Sequence, residues 1–201
     1  MIGLIITKKD SIRFNNKHIK KINGKPIISY AIECALQSKI EKLLIVTDDD
    51  KIIRIAEKNN NNKIKIIKLS KELNNIGSIN TILYATKEYN NNQKIILLQA
   101  TSPLRNIEDI NKCYDIMNNS DIDFITSVYK IRSCIIENGA IFCARLGKLR
   151  QIKNWYSDKT YFYLMPEERS IDIDYEYQFE MAKALLKNEK KNKKIDKNCI
   201  K

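Results

Sequence analysis

The chain has 201 residues, 43% hydrophobic and 30% charged, with a formal net charge of +12. That length suits one domain with a sizeable core. The five cysteines (Cys34, Cys113, Cys134, Cys143, Cys199) are odd in number and show no CxxC spacing, which argues against a disulfide framework or a structural zinc site. The opening apolar run is too short for a signal-peptide core, and no stretch nears the roughly 20 apolar residues of a membrane span. The expectation is a cytoplasmic protein with no membrane partner.

Short runs of β-branched residues and leucine recur at Ile2–Ile6, Leu43–Val46, Ile64–Ile67, Ile95–Leu98 and Phe124–Val128. Such runs predict strands buried on both faces, as in a parallel sheet. Helical patterns lie between them. Pro26 stands at a first turn, Asp48–Asp50 places acids at a positive helix end, Ser78 opens a third helix, and Asn106 caps a fourth with Asp109 three residues later. The order βαβαβαβαβ predicts a three-layer α/β/α domain with a mainly parallel sheet. Ala140–Ala144 and Tyr161–Leu164 read as two added antiparallel strands, and YEYQFEMAKALLK as a last helix. The domain is placed at 1–186. Residues 187–201, with seven Lys against Glu189 and Asp196, read as a basic, solvated tail.

In such sheets ligands bind beyond the carboxyl ends of the strands. The loop after the first strand carries Lys8, Lys9, Arg13, Lys17, Lys20 and Lys21, a cation density that suits either a polyphosphate cradle or a solvated surface. His18, the single histidine, sits beside it as a catalytic candidate or an ordinary polar side chain. Ser78 reads equally as a helix cap. Gln99, Thr101 and Ser102, after the fourth run, offer neutral groups that suit a sugar. Arg105 either meets a ligand carboxylate or, as favoured, pairs with Glu108 or Asp109.

In IDID (171–174), alternation puts Asp172 and Asp174 on one side and Ile171 and Ile173 on the other. Adjacent carboxylates repel unless a cation or proton lies between them. Mg²⁺, completed by phosphate oxygens and water, suits the pair.

These motifs resemble those of acylneuraminate cytidylyltransferases over about residues 2–186. The first loop follows that family's opening signature at Lys8, Ser11, Arg13, Asn16, Lys17 and Ile19, then at Gly24, Lys25, Pro26 and Ile27. It departs at Lys9 and Asp10, which replace a glycine turn, and at Asn15, which replaces a proline. VTDDDKI, GSINTILYA, LLQATSPLR, ENGAIF and IDID also have family counterparts. The resemblance implies a Rossmann-like nucleotidyltransferase fold and CMP transfer from CTP to an acidic nine-carbon, sialic-acid-like sugar. It implies nucleotide binding by Lys8, Ser11, Arg13, Asn16, Lys17 and Ser78. Sugar binding falls to Gln99, Thr101 and Asn138, and Mg²⁺ binding to Asp172 and Asp174, with Lys17, Arg13 and Asp172 as the catalytic set. The family's arm to a second subunit is reduced here to YKIRSCII, where Lys130 and Arg132 are the remaining cations, so a homodimer is left open.

Two rivals stand beside this reading. One is a degenerate member that binds a nucleotide or sugar without catalysis. The other is a basic nucleic-acid-binding protein, disfavoured because charge alone explains neither IDID nor LLQATSPLR.

Overall fold

The computed structural model describes all residues except 10–12, 71–72, 74–75 and 199–201, and side chains except those of 189–198 as well. Ser11, Asp10 and Cys199 therefore lie outside the described residues.

The expected strands form as β1 (Ile2–Thr7), β4 (Lys42–Thr47), β5 (Ile64–Lys68), β6 (Lys94–Leu98), β7 (Phe124–Ile131), β8 (Cys134–Arg145) and β9 (Thr160–Leu164). A small hairpin, β2 (Lys21–Ile22) and β3 (Lys25–Pro26), follows the first loop. The helices are α1 (Ile27–Leu36), α2 (Asp50–Glu57), α3 (Gly77–Ala85), α4 (Ile107–Asn119), α5 (Leu146–Ile152) and α6 (Glu176–Asn198).

The seven-stranded sheet has the order β5-β4-β1-β6-β8-β7-β9. β1 pairs in parallel with β4 on one side and β6 on the other, so the chain reverses its direction of winding between them. That switch point opens a crevice at the carboxyl edge. Side chains alternate strictly across the sheet: Ile5, Ile45, Ile96 and Leu98 pack with α1, α2 and α4, while Leu4, Leu44, Ile95 and Leu97 pack with α3 and α5. Burial on both faces explains why these strands read as unbroken apolar runs.

Two expectations need correction. β8 is antiparallel to both β6 and β7, as expected, but β9 runs parallel to β7. The connection through α5 carries the chain back across the sheet, which reverses β9 relative to β8. The tail is not separate either, because α6 continues past residue 186 to Asn198. Lys and Glu are good helix formers, so a polar composition does not end the helix.

Helix starts agree with the acid and amide signals. Asp49 accepts from the Lys51 amide of α2. Asn106 and Asp109 form a reciprocal capping box at α4. Asn106→Ala is expected to cost about 1 kcal/mol, read as a lower urea midpoint with an unchanged m value. Pro26 precedes α1 by one residue rather than standing inside its first turn. Ser78 lies within the first turn of α3, and among the described residues no side chain caps that helix.

Candidate active site

The extended IDID segment is pinned at its apolar positions. Ile173 is fully buried against Phe14 and Leu104, and its amide donates to the Thr101 carbonyl at 2.9 Å. This anchoring carries Asp172 and Asp174 to the carboxyl edge, opposite the loop after β1. There Lys17 Nζ meets Asp174 Oδ1 at 2.7 Å, and Arg13 Nη1 meets Asp174 Oδ2 at 2.8 Å. Both oxygens of one carboxylate are thus held by cations from the far end of the chain. The Asp174 and Tyr175 amides both donate to Gln178 Oε1 at 2.8 Å, which fixes the start of α6.

Asp172 is the more strained of the pair. Its Oδ1 is shielded from solvent and has no hydrogen-bond partner among the described residues. Burial raises its proton affinity, and Asp174 adds to that, while the Thr101 side chain, Lys17 and Arg13 oppose it. An ideal Cβ at Gly139, whose φ is +68°, would lie 3.5 Å from Asp172 Oδ2. A buried, unsatisfied carboxylate oxygen beside a second carboxylate fits a divalent cation. Among the described residues no cluster of three His, Cys, Asp or Glu side chains gathers to form a complete protein cage. The pair therefore suits a cation that takes its other oxygens from ligand and water.

Two buried networks hold this segment. Asn138 is 5% exposed and spends its amide internally. Its Oδ1 accepts from Ser127 Oγ at 2.6 Å and the Ala140 amide at 3.1 Å, and its Nδ2 donates to Ser170 Oγ at 2.9 Å. Ser127 sits where the β7–β8 register breaks and accepts from the Ile141 amide at 2.8 Å. The second network centres on Asp109, which is fully buried. It pairs with Arg169 Nη2 at 2.8 Å and accepts from Tyr163 Oη at 3.1 Å. Together they fix the 166–170 turn that leads into Asp172.

The predicted site residues separate accordingly. Arg13, Lys17, Thr101, Asp172 and Asp174 come together. Lys8 follows β1 directly, and Asn16 is exposed in a left-handed turn, φ 55°, before Lys17. Ser78 is exposed at the carboxyl side of β5, with no hydrogen bond among the described residues. The Gln99 side chain makes none either and is half-buried at the end of β6.

Asn138, expected at a sugar, is buried with its amide hydrogen-bonded to Ser127, Ser170 and the Ala140 amide. Arg105 does not pair with Glu108 or Asp109. It is buried and donates through Nη1 to the carbonyls of Ala140 at 2.7 Å and Gln99 at 3.2 Å, because Asp109 is already taken by Arg169. His18 is held neutral, its pKa lowered to about 4 by burial and then by Lys17.

A cavity of about 470 Å³ opens beside the aspartates, lined by Tyr129, Ser170, Ile171, Asp172, Tyr177 and Gln178 among others. Gln99 does not line it. The shortened segment after Val128 forms the tip of the β7–β8 hairpin, where Lys130, Arg132 and Ile135 are exposed.

Ser127, Arg169 and Tyr163 were not singled out from the sequence. Only the capping pair Asn106–Asp109 signalled that region, and a capping acid carries no sign of a distant partner.

A basic loop facing paired carboxylates at the switch point of a parallel sheet is the arrangement of a nucleotide-handling transferase fold, and comparison with known proteins agrees. A family model described as cytidylyltransferase matches residues 2–196, and this chain belongs to that family. An N-acylneuraminate cytidylyltransferase from Escherichia coli is 28% identical over 230 residues, covering 98% of this chain and 54% of the relative. The chain thus spans about half the length of that relative. A 3-deoxy-manno-octulosonate cytidylyltransferase from Wigglesworthia glossinidia brevipalpis is 36% identical over 73 residues, 36% of this chain and 29% of the relative. Among solved structures, a CMP:2-keto-3-deoxy-manno-octonic acid synthetase complexed with CTP superposes with a TM-score of 0.73 at 14% identity, covering 94% of this chain and 98% of that one. A cytidylyltransferase from Leptospira borgpetersenii gives 0.70 at 22% identity, covering 96% and 95%. At those identities the structural likeness establishes the fold.

Proposed function

We propose that this chain transfers CMP from CTP to an acidic, sialic-acid-like sugar and releases pyrophosphate. The observation that carries the proposal is the joint hold of Lys17 and Arg13 on Asp174, beside the orphaned oxygen of Asp172. Cations already placed against a carboxylate at a sheet's carboxyl edge can exchange it for phosphate oxygens with little movement. The family and the two relatives' names support the nucleotide and the sugar-acid class.

In this reading Lys8, Arg13 and Lys17 bind the triphosphate. Ser78 and Asn16 stand at the rim for the nucleoside, and Gln99 and Thr101 lie toward the sugar. Asp172 and Asp174 would hold Mg²⁺, which supplies neutralisation of phosphate charge when bound. The sugar hydroxyl oxygen forms a bond to the α-phosphorus and yields its proton to water, the α–β bridging P–O bond breaks, and pyrophosphate departs. Positioning and charge neutralisation carry the rate. His18, neutral and largely buried, is not assigned a proton-transfer role.

The test is CTP-dependent pyrophosphate release across a panel of nonulosonic and octulosonic acids, with and without Mg²⁺. Release with at least one nonulosonic acid is expected. Release only with the octulosonate would correct the sugar, and CTP binding without release on any acceptor would reduce the protein to a binding module. Lys17→Ala should lower kcat/KM for CTP about 10- to 100-fold, the worth of one charge-assisted hydrogen bond.

A further inference from the structure

A second basic region lies away from the aspartates. Between the β2–β3 hairpin and α2 is a groove of about 550 Å³ with Lys21, Lys51, Arg54 and Lys58 on its walls and Ile19 and Ile55 in its floor. Among the described residues no acidic side chain lines it. None of these four cations forms an ion pair among the described residues, as holds for several lysines elsewhere on the surface, such as Lys20 and Lys63.

Lys51, Arg54 and Lys58 recur at helical spacing, so they share one face of α2 and its end, over roughly 10 Å. Lys51 stands in the first turn, where the helix dipole disfavours a cation. Four exposed charges of one sign around this concavity give it a positive potential that attracts an anion. Among the described residues Arg54 makes one side-chain hydrogen bond, through Nε to the Asp50 carbonyl at 3.3 Å, and its guanidinium is exposed.

We infer that this groove is a binding site for a small polyanion carrying two or more phosphate groups. The concavity and apolar floor match a small-molecule site in size. Among the described residues no aromatic side chain lines it, so these offer no stacking platform of the kind single-stranded nucleic acid uses. It is also distinct from the site at the aspartates. The Lys17–Ile19 turn separates the two, with Lys17 reaching Asp174 and Ile19 lining the groove.

Calorimetric titration of the full chain with inorganic tripolyphosphate, and separately with a hexose bisphosphate, tests this at low salt. The two probes distinguish an inorganic oligophosphate from a phosphorylated sugar. The Lys17→Ala background weakens phosphate binding at Asp174, where Arg13 remains. Binding should persist there and weaken at least tenfold when Arg54→Gln and Lys58→Gln are added. The melting temperature of the double variant alone should be unchanged, which shows that the fold is intact. Binding by neither probe, or binding indifferent to Arg54→Gln/Lys58→Gln, would overturn the inference. Binding of a long polyanion such as heparin with no response to either small probe would overturn it too. None of these readouts depends on CTP turnover, so they stand or fall separately from the proposed reaction.

Discussion

Asp172→Asn is expected to reduce CTP-dependent pyrophosphate release by at least about 100-fold, the scale seen when one preorganised electrostatic group is lost from a reacting centre. The same substitution should not weaken the fold. The Asp172 carboxyl has its proton affinity raised above the ordinary carboxylate range, chiefly by burial. A carboxylate shifted that way contributes most to stability below its unfolded pKa, and that contribution is lost as pH rises through the folded pKa. At neutral pH the metal-free protein therefore carries a cost at Asp172. Asparagine keeps the shape without the charge, so the melting temperature without divalent cation should hold or rise. The gain should shrink toward pH 4. Lost turnover with a held or raised melting temperature marks a residue kept for chemistry. Near-normal turnover would remove Asp172 from the proposed reaction, and a large drop in melting temperature would make it structural.

Asp109→Ala should have the opposite signature. Its carboxylate serves the α4 capping box, Tyr163 and Arg169 at once, with no solvent exposure of its side chain. Removing it strands a partly buried guanidinium and frees the turn before Asp172. Breaking a buried pair of this kind costs about 3–5 kcal/mol. For a chain of this size that is a fall in melting temperature of roughly 10 °C, measurable by calorimetry. Turnover should fall with it even well below the transition, because the 166–170 turn no longer holds the aspartates. Full activity in a variant destabilised to that extent would show that the network supports the fold without positioning the site.

Much of this was legible in the sequence because two periodicities are loud. Strands buried on both faces leave apolar runs, and one anchored edge segment leaves the alternation of Ile171–Asp174. The Asn106 cap and the Asp49 cap were equally local signals. What escaped depends on which segments meet across the chain. Strand sequences carry no mark of direction, so the parallel pairing of β9 and the insertion of β8 between β6 and β7 were not readable. Arg105 was read by its sequence neighbours, yet the carbonyls of Gln99 and Ala140 hold it. Asn138 reads as a ligand contact by resemblance, and that reading gives no sign of its amide's partners Ser127, Ser170 and the Ala140 amide. In each case a polar side chain was claimed by backbone or side-chain groups distant in sequence.

The joining of Lys17 to Asp174 spans 157 positions, so closing it carries a large loop-closure entropy. The sheet can zip together around β1, β4 and β6 while its carboxyl edge still lacks the acidic half. Docking of α6 through Phe179, Ala182 and Leu186 onto Phe14 and Ile22 then completes the cleft. Transient release of α6 would dissolve the cleft and spare the central sheet, so its amides and those of the 13–19 turn should exchange with deuterium together and ahead of β1.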